Sequence, residues 1–382
     1  MGGCEQYRIR IPFEQIRAKV PNTALDWAPV GKVQKWAGIK DKSKPLPSDY
    51  DLWLLPRHRP LPYGIDGTID FERVPESLKV AAKKHFDIEL EGDAHLLDML
   101  RIVRNKIGIV MEYDDDHWGS RDLGYMEYVD LAQKQLQLAD AITVTTPYME
   151  QLVKTYAPQV PVYILPNVVK FSEWQGWERW LRWPEGWLVI GLTGSPTHHD
   201  DWVVLKDVIP RILDEYHNVA FLLAGYVPDF FEDLHLLYPA QVYNDSYFRT
   251  YQDYPGLIRQ ADIILCPVDP TDKFNWAKSG IKAVEGMAAG RVLPNGMMGG
   301  AVPIVSPLDY YQEAVGNDKR GLVVEHTPES WERAIRLLLT NGTLRQQLQY
   351  RGLKYVREHL SIETRWGLWW NAYQEIYRRK QQ

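Results

Sequence analysis

Residues 187–225 read WLVIGLTGSPTHHDDWVVLKDVIPRILDEYHNVAFLLAG, and this stretch decides the fold class. WLVIGLTG is an apolar run with no polar alternation, as a strand buried on both faces requires. It runs into a Gly-bearing loop. Residues 200–215 then fit a helix with Val204, Val208 and Ile212 on its inner face, and VAFLLAG at 219–225 is the next strand. Strand, loop, helix and strand in that order form the unit from which parallel sheets are built.

The rhythm continues outward in both directions. Downstream, the sequence predicts a helix near 229–237, an edge strand near 241–243 and a helix near 251–260. The strand ADIILCPV at 261–268, a helix at 278–289 and the strand AVPIVS at 301–306 follow. A helix near 308–314, the strand GLVVEH and helices near 328–339, 343–356 and 361–378 complete the series. Upstream, YDLWLLP reads as a short strand stopped by Pro56, and a helix fits near 76–84. Helices at 91–104 and 124–138 flank the strand IGIVMEY at 107–113. AITVTT at 141–146 and VPVYILP at 160–166 are further strands, with PYMEQLVKTY between them as a helix capped by Thr146 with Pro147 at its first position. Residues 1–50 read as irregular, with a short amphipathic piece around Phe13 to Ala18.

Two separate alternating blocks predict an α/β protein of two facing doubly wound Rossmann-like domains. The expected division is 1–170, a Trp-rich linker at 171–185, 186–355, and a C-terminal helix within 356–382 returning toward the first domain. In the linker, Trp174, Trp177, Trp180 and Trp183 recur every third residue and so share a face. They serve to pack a linking helix against one or both domains, as a platform for sugar rings, or as a partner surface. The natural binding place for such an architecture is the crevice at the C-terminal edges of the strands.

Composition excludes several classes. The 382 residues are 45% hydrophobic and include 15 Trp, 22 Tyr and 9 Phe, enough for full cores rather than general disorder. At roughly 150 residues per domain the length allows two or three domains. The two cysteines, Cys4 and Cys266, build neither a disulfide framework nor a Cys-based zinc site, and a reduced cytoplasmic setting is expected. No apolar run has the length of a signal peptide core or a membrane span. Lys plus Arg is 44 against 50 for Asp plus Glu, a net charge of -6, so nucleic acid is a disfavoured partner that only a local basic patch could hold.

Three stretches carry candidate chemistry. In GLTGSPTHHDDW at 191–202, a strand end meets a helix start, where backbone N–H groups and the helix dipole favour anions or hydroxyls. Gly191, Gly194 and the small Ser195 suit close approach of a ligand, although the spacing is not that of a dinucleotide fingerprint. His198, His199, Asp200 and Asp201 are readable as capping residues, as ligand contacts or as metal ligands. In DKFNWAKSGIKAVEGMAAG at 272–290, a continuous helix would put Lys278 and Lys282 on one face, suited to a diphosphate, with Ser279 beside them. Glu285 could accept from two vicinal ribose hydroxyls, or could simply pair along a solvated face. In EYDDDHW at 112–118, a buried strand releases Asp114, Asp115, Asp116 and His117. These four are candidates for orienting acceptor hydroxyls or a basic substrate or, less simply, for a metal. Tyr7, Arg8, Arg10, Arg57, His58 and Arg59 either line the same cleft or are solvated.

IGLTGSPTHHDDW, FNWAKSGIKAVEGMAAG, VPIVS and GLVVEHTPESWERAIRLLL together resemble the nucleotide-sugar domain of retaining glycosyltransferases of the GT-B fold, especially the family 4 type. YRIRIPFEQI, EYDDDHW, ADAITVTTPYMEQLV and VYILPNVV are similar to the acceptor-side half of a bacterial and phage branch. The resemblance implies transfer of a hexosyl unit from a nucleoside diphosphate sugar, linked to UDP, GDP or ADP, to a hydroxyl acceptor. It implies no cofactor and no metal requirement. Glu285 matches the second glutamate of the E-x7-E motif and would hold the donor ribose, whereas the first falls on Ala277. Lys278, Ser279 and Lys282 match the AKS and K-x-x-E elements, and Gly194 and His198 match a G-x-x-x-H segment lining the donor cleft. Asp114, Asp115, Asp116 and His117 occupy the region that acts on the acceptor side.

Two departures from the resembled pattern stand out: RVLPNGMMGG at 291–300 looks inserted, and MGGCEQYRI falls after the family's first strand, so that the N-terminal sheet is expected either to lack that strand or to have another run in its place. Two other functions fit the same resemblance. One is a phage-type transferase acting on DNA bases, and the other is an inactive sugar-nucleotide-binding or scaffold protein.

Overall fold

The computed structural model describes residues 6–21, 52–56, 108–116, 118, 133, 136–175, 183–245, 251–293 and 295–382. The helices expected near 76–84 and 91–104, most of that at 124–138, and Cys4, Arg57, His58 and Arg59 lie outside these. The chain divides into two units, Met1–Pro166 with Trp366–Gln382, and Asn167–Arg365. Among the described residues no helix is long and apolar enough to cross a membrane.

The first unit holds a parallel sheet in the order β1 (Leu52–Pro56), β2 (Gly108–Tyr113), β3 (Ala141–Val144) and β4 (Val162–Ile164). Every residue of β2 and β3 is buried, which is why these strands show no polar alternation in sequence. The register pairs Leu52 with Gly108, Val110 with Ala141 and Ile142 with Val162. The helix Pro147–Tyr156 begins as expected: the Thr146 hydroxyl accepts from the Met149 amide and Pro147 fills the first turn.

Residues 6–19 are not irregular. A wide helical turn, Gln6–Arg10, leads into the helix Ile11–Lys19, whose Ile11, Phe13 and Ile16 are buried. Among the described residues no strand precedes β1. The helix Ile362–Gln381 starts in the second unit and from Trp366 belongs to the first, where the Tyr373 ring meets Phe13 edge-on and Lys380 pairs with Asp140.

The second unit holds a six-stranded parallel sheet in the order β12-β11-β8-β5-β6-β7. Its strands are β5 (Leu188–Gly194), β6 (Val219–Gly225), β7 (Val242–Asp245), β8 (Ile263–Cys266), β11 (Val302–Val305) and β12 (Leu322–Val323). Successive residues alternate faces. Ile190, Leu192, Phe221 and Leu223 join a large core with Trp202 and Trp331, while Val189, Ala220 and Leu222 pack the other face with Leu257.

Two helices differ from their sequence reading. The one expected over 200–215 is broken, with short turns to Leu205 and a helix only at Val208–Glu215. Pro210 has no N–H for the carbonyl of Lys206, so one continuous helix is not available there. The one expected over 278–289 is two, Lys273–Trp276 and Ile281–Ala288. The loop 291–300 forms a hairpin of β9 (Arg291–Val292) and β10 (Met298–Gly299), with Val292 opposite Met298. The Arg291 guanidinium holds its base, bonding the Asp262 carboxylate and the carbonyls of Arg259 and Ala261.

Candidate functional site

In the second unit the chain runs from β5 through β6 to β7 on one side, and from β8 through β11 to β12 on the other. The β5–β8 pair is therefore the point where strand order reverses. A crevice outside the carboxyl ends of the strands forms at such a point. Thr193 and Gly194 end β5, and the turn Pro196–His198 follows at once.

His198, only 8% exposed, faces Asp201 across a 2.7 Å contact from Nδ1 to Oδ2. Asp201 is a hub. Its Oδ1 accepts from the Asp269 amide at 2.8 Å and from Asn275 Nδ2 at 2.7 Å, and Lys278 Nζ lies 3.7 Å from Oδ2. Burial works against this carboxylate, yet the hydrogen bond with His198 and the charge of Lys278 outweigh it and hold its pKa at about 2. Burial and the nearby Lys282 charge lower the His198 pKa to about 3, so its ring is neutral at ordinary pH.

Lys282 Nζ donates to the Thr193 carbonyl at 3.0 Å and lies 5.9 Å from the centre of the Trp202 ring. Burial, then the Lys278 charge, lower its pKa to about 8. Glu285 is 5% exposed and accepts from the Tyr254 hydroxyl at 3.0 Å; that oxygen in turn lies 3.2 Å from Thr193 Oγ1. The Tyr254 ring is held edge-on by Trp174. Ser279 Oγ accepts from Asn167 Nδ2. Gly194, His198, Lys278, Lys282 and Glu285 are thus gathered on one connected network, and Ser279 follows Lys278 directly.

Several expectations need correction. Lys278 and Lys282 do not share a helix face: Lys278 lies in the break between helices and Lys282 in the first turn of Ile281–Ala288. They approach the same network from two segments. Gly194 makes room for protein rather than ligand, since a Cβ there would come within 2.7 Å of Trp202 and 2.9 Å of Lys282 Nζ. Gly191 is likewise packed, its missing Cβ facing Ala261 and Ile264. Trp174 is fully buried and offers no open ring face to a sugar, while Trp177 and Trp180 lie outside the described residues.

In the first unit Asp114 and Asp116 are buried and Asp115 half-buried, while His117 lies outside the described residues. Asp116 Oδ1 accepts from the Trp118 amide at 2.7 Å. The run does not open as a cluster into solvent. Glu112, two residues before Asp114, points into a buried group with Arg8, Thr143 and Tyr373. Tyr7, Arg8 and Arg10 are buried too, and Arg8 bonds the Leu165 carbonyl and Thr143. Among the described residues no three His, Cys, Asp or Glu side chains converge as a metal would need. His199 pairs with the Tyr226 hydroxyl at 2.8 Å instead.

Sequence reading did not single out Thr193, Tyr254, Asn275 or Asp269. Asp201 carried one usable signal, its spacing three residues beyond His198. Tyr254 carried none, because its role arises only when β5 and the helix Ile281–Ala288 come together around it.

Residues 188–341 match the family described as glycosyl transferases group 1. No curated protein matches the chain. Among solved structures, sucrose-phosphate synthase from Thermosynechococcus elongatus is similar at 15% identity and TM-score 0.54, over 74% of this chain and 72% of that one. The Anabaena protein HepE, in complex with UDP and glucose, is similar at 12% identity and TM-score 0.53, over 74% and 77%. An α,α-trehalose-phosphate synthase from Burkholderia xenovorans, in complex with glucose-6-phosphate, gives 11% identity and TM-score 0.52, over 74% and 71%. The fold is the α/β arrangement of GT-B glycosyltransferases.

Proposed function

From the premise that the chain is a transferase with a group 1 glycosyl transferase domain at 188–341, we propose that it moves a hexosyl unit from a nucleoside diphosphate sugar to a hydroxyl acceptor, with retention of configuration. The observation that carries the donor half is the convergence of the Lys278 and Lys282 ammonium groups on the network at the strand switch point, with buried Glu285 on the same network. Departure of a nucleoside diphosphate leaves negative charge on its terminal phosphate. Two fixed cations answer that demand as the bond from the sugar carbon to the phosphate oxygen breaks, the acceptor oxygen bonds the same carbon, and the acceptor's hydroxyl proton passes to the departing phosphate oxygen. Glu285, ionised, is an acceptor for ribose hydroxyls. The donor half uses no metal in this reading, and two ammonium groups supply the counter-charge.

The acceptor side is assigned to the first unit, with Asp115 the leading candidate because Asp114 and Asp116 are buried. UDP-linked sugars are the first donors to try: the similar HepE structure contains UDP and glucose. The deciding experiment incubates the protein with UDP-, GDP- and ADP-sugars and a panel of hydroxyl acceptors, reading released nucleotide and product mass. Release of no nucleotide from any donor, with or without acceptor, would overturn the reading.

Ala277 favours a second reading, a protein that binds the donor without transferring it. It stands where the resembled motif has its first glutamate, and it is fully buried, with no carboxylate presented there. Donor binding with neither transfer nor hydrolysis would decide for it.

A further inference from the structure

We infer that Asp201 fixes His198 as a neutral imidazole carrying its proton on Nδ1, so that Nε2 is a hydroxyl-accepting position within the donor site. The identity of the ligand rests on the donor reading above; the tautomer rests on the side chains alone.

The 2.7 Å contact between His198 Nδ1 and Asp201 Oδ2 needs one hydrogen between its atoms. Asp201 cannot supply it. Its Oδ1 already takes two donors, the Asp269 amide and the Asn275 side chain, and Lys278 faces its Oδ2. A carboxylate surrounded by donors is ionised and accepts only, so the hydrogen belongs to Nδ1.

Burial first, then the charges of Lys282 and Lys278, oppose a second proton on the ring and outweigh the pull of the Asp201 carboxylate. Lys278 Nζ lies 3.3 Å from Nδ1, and Lys282 Nζ and the His198 ring both border the space that a side chain at Gly194 would fill. The low value of about 3 for His198 agrees with this. Nε2 therefore carries a lone pair, and among the described residues it makes no hydrogen bond.

This settles what chemistry the nitrogen can meet. A diphosphate oxygen is ionised and has no hydrogen to give, so it repels such a lone pair and is left to Lys278 and Lys282. A hydroxyl has one. The imidazole thus divides the site, with cations for phosphate and one acceptor for O–H, and Asp201 is the positioning residue that makes the division. The hydroxyl belongs either to the donor ribose or to the transferred sugar.

The test uses the full-length protein. Two-bond 1H–15N correlation spectra of the histidine rings, with His198 assigned by its loss in His198→Phe, report the tautomer directly. The expected result is an Nδ1–H ring that does not titrate between pH 5 and 8, changed in Asp201→Asn to an Nε2–H ring or one titrating near the ordinary value of about 6.5. A wild-type ring protonated on Nε2, or titrating near that ordinary value, overturns the inference, and this arm needs no ligand and no stable variant. Calorimetric titration of His198→Phe with UDP and with UDP-glucose then identifies the hydroxyl. A loss of about tenfold for both ligands assigns the ribose, and a loss for UDP-glucose alone assigns the sugar. Unchanged affinity for both overturns the acceptor role. Wild-type protein that binds neither ligand sinks the donor reading, while the tautomer is still decided by the spectra.

Discussion

Lys282 carries the most directly testable chemistry at the scale of single residues. Its pKa of about 8, lowered first by burial and then by Lys278, means that the ammonium is present below that pH and lost above it. A diphosphate favours the charged form, so UDP affinity is expected to be highest below pH 8 and to fall as pH rises through it, by at most tenfold per pH unit for one proton. Calorimetry at pH 7 and pH 9 checks this, and Lys282→Met should bind UDP about tenfold to a hundredfold more weakly and lose the pH dependence. Glu285→Gln tests the ribose assignment: UDP binding is expected to weaken while the fold, read by circular dichroism, is retained, since Gln still accepts from Tyr254.

Ala277 invites the opposite experiment, restoring the carboxylate by Ala277→Glu. The position is fully buried, so the variant must either bury a charge or push the break between helices apart. It is expected to lower the thermal midpoint rather than raise turnover, and an unchanged midpoint with higher turnover would reverse that view of the break.

Among the elements, the local signals that sequence carries were the dependable ones. Thr146 caps Pro147–Tyr156 and Thr327 caps Pro328–Thr340, and in both cases proline follows the cap directly. Thr146→Ala is expected to cost about 1 kcal/mol, measured by chemical denaturation. The buried strands were legible for the same reason, since a run such as GIVMEY has no polar residue to spare until its end. The break at 277–280 was not legible. Apolar spacing continues through FNWAKSGIKAVEGM, and only Asp272 capping Phe274 and the Gly280 that precedes Ile281 mark two short helices.

The site was legible in the same uneven way. Lys278, Lys282 and Glu285 could be picked out because charged residues beside a buried strand are conspicuous. Tyr254 could not, because a tyrosine in a polar stretch has no pattern that reports a hydroxyl bonded to a carboxylate on another helix. The acidic run 114–116 was legible only as charge, for a related reason: charge in a sequence says nothing of whether the backbone turns a side chain inward, as it does for Asp116.

Across the whole molecule, the network of Asp201, Lys278, Lys282 and Glu285, which we propose holds the donor, lies within the unit Asn167–Arg365. Ligand binding should therefore protect that unit. UDP at a hundred times its Kd would add about 2.7 kcal/mol, and hydrogen exchange should slow in its amides before those of the other. The net charge of -6 supplies no general attraction for a polyanion. Duplex DNA is expected to bind weakly, and tight binding that collapses steeply with salt would instead favour a transferase acting on nucleic acid.

The hairpin at 291–299 has its own practical consequence. Arg291 rivets its base to Asp262 and to two carbonyls, whereas Val292, Met297 and Met298 near the tip are exposed. An anchored stem with exposed residues at 295–297 is a ready splice point, where an epitope or a fluorescent reporter could be grafted at Asn295–Gly296 while Leu293 keeps its buried place.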